Sequence, residues 1–339
     1  MPTYSAPVKD IKFLLHEYFN LQQYNNLPSF AEATPDLIDA ILEEAAKVTE
    51  NVFQPLNLPG DEQGCRLENG KVITPDDFKE AYNQYVEGGW QGLTGDPEYG
   101  GQGMPQTLGL VLNELMVSAN WGFAMYPGLT KGATESIHTW GTEEQKHKYL
   151  PKMYAAEWSG TMNLTEPHCG TDLGLLRSKA EPNDGGSYKI SGTKIFISAG
   201  DHDLTENVIH LVLAKIPGGP EGVKGISLFI VPRNKINDDG SIGDNNGVSV
   251  GSLEEKMGIH SNATCVMNFD EAEGYLLGQE HKGMRAMFTM MTEARLGVAI
   301  QGYAIAEVAQ QNAAIYANDR IQGRALTGAK NPDAKADPI

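Results

Sequence analysis

Met162-Asn163-Leu164-Thr165-Glu166-Pro167-His168-Cys169-Gly170-Thr171-Asp172 is the stretch whose reading decides the fold. It begins as a short alternating strand and then breaks, because Pro167 lacks a backbone N–H and holds Glu166 extended. In the loop that follows, Gly170 has access to backbone angles closed to other residues, beside the hydroxyl of Thr171. A loop leaving a strand end in this way turns backbone N–H groups and a hydroxyl outward, which suits a phosphate or the polar edge of a heterocycle. The competing reading is a plain strand-to-turn corner in which Asp172 caps the next half-turn, and such corners are common.

Outward from this stretch the hydrophobic period is alternating. Strands are expected at 160–165, 176–180, 188–191, 193–198, 208–214, 226–231, 248–250 and 264–269, punctuated by Gly-Gly, Ser-Gly and Pro-Gly pairs. That spacing predicts an antiparallel β-domain rather than βαβ units, with no Rossmann strand–glycine–helix fingerprint. In Thr193-Lys194-Ile195-Phe196-Ile197-Ser198, Ile195 and Ile197 are expected on the core face, with Lys194, Phe196 and Ser198 on the solvated one. An aromatic ring on the polar face needs cover, from another domain, another subunit or a flat ligand.

Upstream the chain reads as helical. Thr34-Pro35-Asp36 starts a helix, with Leu37, Ile41, Ala45, Val48 and Val52 as its buried face, and Thr74-Pro75-Asp76-Asp77 repeats the start signal. The stretch 58–70 between them is expected to be a loop. The glycine-rich Asp96–Gly103 segment precedes a helix carrying Leu108, Leu112 and Leu115; such a loop can cradle phosphate, but a plain connector is the simpler reading of it. Thr142 to Gln145 forms a capping box, and Pro151 is expected to end that helix near Leu150.

After Gly283 the helical period returns. Ala294, Gly297, Gly302, Ala306, Ala309, Ala313 and Ala317 suggest a packed helix face, and Met284, Met287, Met290 and Met291 are adaptable fillers that read as core, with the lining of an apolar pocket as the alternative. Arg295 lies in an apolar helix, where a charge is expected to be paired or functional, and Arg320 follows Asn318-Asp319. The structural alternative for each arginine is an ion pair, for Arg320 with Asp319 or Glu307.

The formal net charge of −18 argues against a nucleic-acid or anionic-membrane surface. Cys65, Cys169 and Cys265 have neither metal nor disulfide spacing, which fits a reducing compartment. With no signal pattern and no membrane-length apolar run, a cytoplasmic protein is expected.

Leu164-Thr165-Glu166-Pro167-x-x-Gly170-Thr171-Asp172 resembles the flavin-binding signature of the acyl-CoA dehydrogenases. Pro97–Gly103, Gly141–Asp172, Lys194–Ser198, Glu255–Ile259 and the helix from Met284 to Arg320 extend the similarity, and the helices before Gly92 with the 58–70 stretch resemble the larger members of that family. The resemblance implies an α+β fold: an N-terminal helical domain over 1–157, a middle antiparallel β-domain over 158–279, and the first, incomplete part of a C-terminal helical bundle over 280–339.

It also implies FAD as cofactor. Met162, Leu164, Thr165 and Ser198 would meet the flavin, with Phe196 against the ring face and Gly170 and Thr171 at the ribityl-pyrophosphate side. Arg320 would reach the pyrophosphate of a neighbouring subunit in a homo-oligomer, and Thr171 and Arg295 would contact substrate. Two departures stand out: Phe196 and Ser198 replace the usual Trp and Thr, and Arg320-Ile321-Gln322-Gly323 shortens the usual Arg-x-x-Phe-Gly.

The implied chemistry is α,β-dehydrogenation of an acyl-CoA to the 2-enoyl-CoA, with electrons passing to an electron-transfer flavoprotein. A carboxylate removes the α-proton, and in most members it lies in later helices than this chain contains. In a minority it immediately precedes the arginine matching Arg295, where this chain has Ala294. Glu293 is one residue back, about 100° around the helix, and is expected to face elsewhere, solvated at the surface or in an ion pair. The expectation is therefore that the base lies beyond residue 339, with Glu293 the weaker candidate. The alternatives are an acyl-CoA oxidase, a DNA-binding non-dehydrogenase flavoprotein of the same superfamily, and a flavin-free interaction module.

Overall fold

The computed structural model describes residues 3–323 and 326–328, so the last part of the expected 280–339 segment lies outside them. Helices come first: α1 (Val8–Lys12), α2 (Pro28–Ala31), α3 (Pro35–Val48), α4 (Asn57–Gln63), α5 (Phe78–Glu87), α6 (Gln106–Trp140) and α7 (Glu143–Tyr154). The hairpin β1 (Arg66–Glu68) and β2 (Lys71–Ile73) interrupts them. Strands β3 to β11 follow, and the long α8 (Gly283–Asp319) comes last.

Local chemistry explains two of the helix starts, those of α3 and α7. The Thr34 hydroxyl accepts from Leu37 N–H at 3.3 Å behind Pro35, and Thr142 and Gln145 cap each other at 3.2 and 3.1 Å. The second Thr-Pro-Asp signal behaves differently. Thr74 donates its hydroxyl to Asp203 at 2.7 Å, and α5 begins only after Asp77, which is left-handed at φ 65°.

Three other sequence expectations change. The 58–70 stretch is not a loop but α4 followed by the β1–β2 hairpin, turned at Asn69-Gly70 with both residues at positive φ as a type I′ turn requires. Helix α7 runs through Pro151 to Tyr154, because Tyr149, Leu150 and Met153 are all buried and their packing outweighs the local proline restriction. In α3 the fully buried residues are Ile38, Leu42 and Ala45, while Leu37 is exposed; the apolar arc is wide, and α6 covers its other edge.

The sheet strands are β3 (Trp158–Asn163), β4 (Lys179–Pro182), β5 (Tyr188–Ser198), β6 (Asn207–Lys215), β7 (Ile226–Pro232), β10 (Val248–Leu253) and β11 (Thr264–Leu276), with β8 (Asn234–Ile236) and β9 (Ile242–Asn245) forming a side hairpin. Strand β6 pairs β7, β7 pairs β11, β11 pairs β5, β5 pairs β4, and β4 returns to β6, so the ladder closes into a small barrel. Closure leaves these strands no free edge. The expected purely antiparallel pairing is corrected, because β3 and β4 both run parallel to β6. The two expected strands 188–191 and 193–198 are one continuous β5.

Every residue of β7, and all of β6 up to Ala214, is buried. One side of these strands fills the barrel through Val212, Phe229 and Val231. The other side, through Leu211, Leu228 and Ile230, packs with Ala133 and Ile137 of α6 and Met287 and Met290 of α8. Two buried faces erase the alternation that marks a half-solvated strand.

Helix α6 is broken at Asn120 (φ −159°, ψ 94°). The Asn120 side chain caps the break, accepting from Phe123 N–H at 3.0 Å and donating to Phe53 O at 3.1 Å. Helix α8 lies along α6 through Met287, Met290, Ile300 and Ala304, so the methionine core reading holds at Met287 and Met290. The small-residue face does not pack: Gly302, Ala306, Ala309 and Ala313 are exposed. Near its end α8 holds the N-terminal segment, where Gln311 and Asn312 side chains bond the backbones of Ser5 and Thr3 reciprocally at 2.8 to 3.0 Å.

Candidate cofactor and substrate site

Strand β3 delivers Met162 and then Leu164, Thr165 and the Glu166–Asp172 loop at one end of the barrel. The loop closes on itself by paired backbone bonds between Glu166 and Cys169 at 2.8 and 3.0 Å. Asp172 caps the next turn, accepting from Gly174 N–H at 3.0 Å. Gly170 and Thr171 are exposed; Met162, Leu164 and Thr165 are half-buried. Gly170 does not use left-handed angles. Its lack of a side chain matters for space, since a Cβ there would sit 3.3 Å from Thr165 Cγ2.

Beside this loop runs the end of β5, and here strict alternation fails. The β5–β11 register slips between the Ile197–Cys265 and Lys194–Met267 pairs, and Phe196 is left-handed at φ 57°. The bulge rotates side chains away from the simple pattern. Lys194, expected in solvent, is fully buried; Ile195, expected in the core, is only half-buried. Phe196 is 54% exposed, as the odd aromatic required, and the Ser198 side is half-exposed. Ala199 is also left-handed, at φ 49°. Each such non-glycine residue costs about 1–2 kcal/mol, so neighbouring contacts must hold this turn in place.

Those contacts are specific. Glu166 Oε1 accepts from Lys194 Nζ at 2.8 Å, Ser178 Oγ at 2.6 Å and Ser178 N–H at 3.0 Å, and Oε2 accepts from Arg177 N–H at 2.7 Å. Lys194 Nζ also donates to Leu164 O at 3.0 Å, and Ile195 N–H donates to Thr165 O at 2.9 Å. On the far side of the bulge, Ala199 N–H donates to Asn262 Oδ1 at 3.1 Å. Burial by itself would push the Glu166 carboxyl up, but the Lys194 ammonium and the bonds from Ser178 and Arg177 outweigh it and hold the group below the usual carboxylate range. His168 Nε2 stands 3.7 Å from Glu166 and 3.0 Å from Leu175 O. Sequence reasoning placed Lys194 in solvent and gave Glu166 no role. A lysine two residues before an exposed aromatic carries no local signal of burial when a bulge lies between them.

A second feature is a cavity of about 230 Å³ between α6 and α8. Trp121, Met125 and Met290 give it an apolar lining, and Lys131 and Glu293 add an ion pair at 3.3 Å. Glu293 and Ala294 both face this cavity, so the expectation that Glu293 turns elsewhere is corrected. A broad cavity between two helices spans more than the 100° that separates neighbouring residues. Glu135, one turn along α6 from Lys131, is pushed up by burial.

The two arginines do not join this cavity as buried ions. Arg295 is exposed, its guanidinium 5.3 Å from the Phe288 ring centroid, because the face of α8 that carries it is bare. Arg320 is exposed at the end of α8 and, among the described residues, makes no ion pair with Asp319 or Glu307. The glycine-rich segment is a fastened connector: Asp96 accepts from Glu98 N–H and meets His138 at 2.9 Å, and a Cβ on Gly101 would strike Gly95 at 2.1 Å. No helix among the described residues is long and apolar enough to cross a membrane.

Comparison with known proteins agrees with this architecture. Residues 39–157 match the family model "Acyl-CoA dehydrogenase, N-terminal domain", and residues 161–272 match "Acyl-CoA dehydrogenase, middle domain". The chain is 46% identical over 326 residues to 3-methylmercaptopropionyl-CoA dehydrogenase of Ruegeria pomeroyi, covering 96% of this chain and 55% of that protein. It is 32% identical over 283 residues to the short-chain specific acyl-CoA dehydrogenase of Clostridium acetobutylicum, covering 82% of this chain and 67% of the relative. An acyl-CoA dehydrogenase from Bacillus anthracis solved in complex with FAD superposes with a TM-score of 0.70 at 27% identity, covering 85% of this chain and 45% of that one. A helical start, a barrel and a long returning helix carrying these matches define the class: the chain belongs to the acyl-CoA dehydrogenase family. It spans about half the length of the Ruegeria relative.

Proposed function

We propose that the chain takes part in FAD-dependent α,β-dehydrogenation of an acyl-CoA thioester to the 2-enoyl-CoA. The observation that carries this reading is the exposed Phe196 ring, next to Ile195, whose N–H ties this segment to Thr165 O at 2.9 Å, with Ser198 half-exposed two residues on. An exposed aromatic face near hydroxyl groups fits a flat, polar-edged ring, and Gly170 and Thr171 are exposed on the loop that follows Thr165, where the chain hanging from that ring could lie. Bound there, FAD would supply the two-electron acceptor for the hydride leaving the β-carbon.

The residues of this chain have separable tasks. Met162, Leu164, Thr165 and Ser198 hold the ring edge, Phe196 covers its face, and Gly170 and Thr171 meet the ribityl and pyrophosphate side. Arg320, unpaired among the described residues, reaches the pyrophosphate on a neighbouring subunit of a homo-oligomer. The α6–α8 cavity takes the acyl group, with Thr171 and Arg295 at the thioester end. Glu293 is the carboxylate lining that cavity. To accept the α-proton it must release Lys131, so it is weighed against a base supplied from outside these residues. Electrons leave to an electron-transfer flavoprotein.

The test is anaerobic titration of the FAD-loaded chain with acyl-CoAs of graded length, following loss of the flavin band. Bleaching that disappears in Glu293→Gln assigns the base to Glu293. Tight FAD binding without bleaching by any thioester places the base elsewhere. Failure to bind FAD at all overturns the reading.

A further inference from the structure

The end of β5 carries two left-handed non-glycine residues three positions apart, Phe196 in the bulge and Ala199 just past the strand. Backbone in this region persists only where its surroundings over-determine it. Three side chains do so here, and none of them faces the wall itself. Lys194 precedes the turn and ties it to the Leu164 carbonyl and to Glu166. Glu166 in turn gathers the backbone of Arg177 and Ser178, the segment leading into β4. Asn262 follows the turn in space, holding Ala199 N–H while its own amide donates to Gly122 O of α6 at 3.3 Å.

The charged pair is sealed, with Lys194 at 0% and Glu166 at 3% exposure. Replacing such a pair by apolar residues of similar volume is often neutral or stabilising, so stability gives no reason to prefer it. What it supplies is geometry. An ammonium has three donors, and two of them here run to groups of the Leu164–Glu166 segment. The pair thereby sets the position of Thr165 relative to Phe196, two residues beyond Lys194. It also keeps the Leu164 carbonyl turned inward.

We propose that Lys194, Glu166 and Asn262 are positioning residues that hold the Leu164–Thr165 segment and the left-handed Phe196 turn in one preformed arrangement, so that the ring wall exists before its ligand arrives. The inference rests on the flavin reading for the identity of that ligand, but not for the clamp itself. A loose wall has to be ordered on binding, and that ordering weakens affinity.

Amide hydrogen exchange on the ligand-free chain and FAD binding followed by flavin fluorescence test it together, in Lys194→Met/Glu166→Gln and in Asn262→Ala. The double variant removes both charges at nearly constant volume; Asn262→Ala leaves the ion pair intact and is read should the double variant not fold. In a folded variant, amides at 164–166 and 195–199 are expected to exchange at least tenfold faster, with FAD affinity at least tenfold weaker for the double variant and about threefold weaker for Asn262→Ala. Unchanged exchange in both segments, with FAD affinity within twofold of wild type, overturns the proposal. If the wild-type chain binds no FAD, the flavin reading fails, and the exchange rates alone still decide whether the clamp exists.

Discussion

Two lysine–glutamate pairs in this chain use the same groups in opposite settings. Lys194–Glu166 is closed off from water at the barrel end, whereas Lys131 and Glu293 keep 23% and 30% of their side chains exposed at the cavity between α6 and α8. In the first pair the carboxylate takes four protein hydrogen bonds. The second is held at 3.3 Å and remains accessible from the cavity. A sealed, fully satisfied pair fixes backbone; an open, loosely held one is available to exchange partners with a ligand.

Breaking the sealed pair on one side is the largest effect this contrast predicts. Lys194→Met leaves the Glu166 charge buried and uncompensated, and chemical denaturation is expected to show a loss of about 3–5 kcal/mol. A loss below about 1 kcal/mol would place Lys194 and Lys131 in the same category. Removing both charges in Lys194→Met/Glu166→Gln is expected to restore most of that loss.

Acid separates the pairs next. The Glu166 carboxyl is held below its ordinary pKa of 4.5 in the folded chain. Its contribution is therefore complete above 4.5 and drains away as the pH falls through the lower folded value. Denaturation midpoints measured from pH 6 down to 3 are expected to fall more steeply for wild type than for Glu166→Gln. Buried His202 and His210 add to the acid loss in both proteins: burial, with the nearby Arg233 charge, lowers each to about 3, so the stability they give above 6.5 is lost on acidification.

Smaller effects calibrate the scale. Thr142→Ala removes one half of a capping box and is expected to cost about 1 kcal/mol by thermal or chemical melting. Lys131→Met, at the open pair, is expected to cost no more than about 1 kcal/mol. A Lys131 variant as damaged as Lys194→Met would show that the cavity pair is structural too.

The same contrast explains what could be read from the sequence. Helix caps at Thr34 and Thr142 were legible because they depend on neighbours three residues away. The Glu166–Asp172 turn was legible because Pro167 and the capping Asp172 constrain one short stretch, and the exposed Phe196 followed from a period of two. The burial of Lys194 was not legible, since one bulge inverts that period and its partner is 28 residues away. The α3 face was legible except at Leu37, which is exposed: Ala45 is buried, and Ile41, Val48 and Val52 pack against the same core as Ile38 and Leu42. The barrel closure through β4 and β6 depends on pairing between distant strands. The β1–β2 hairpin did carry a signal, Asn69-Gly70, within a stretch read as loop.

The most direct measurement of the account is FAD affinity in three proteins: wild type, Lys194→Met/Glu166→Gln, and Lys131→Met. The account predicts micromolar or tighter binding by wild type, a loss of at least tenfold in the double variant, and a change of no more than about twofold in Lys131→Met, which lies at the cavity between α6 and α8. Weakening by Lys131→Met with the double variant unaffected would contradict it, because the cofactor would then be using the cavity between α6 and α8 rather than the wall at Phe196.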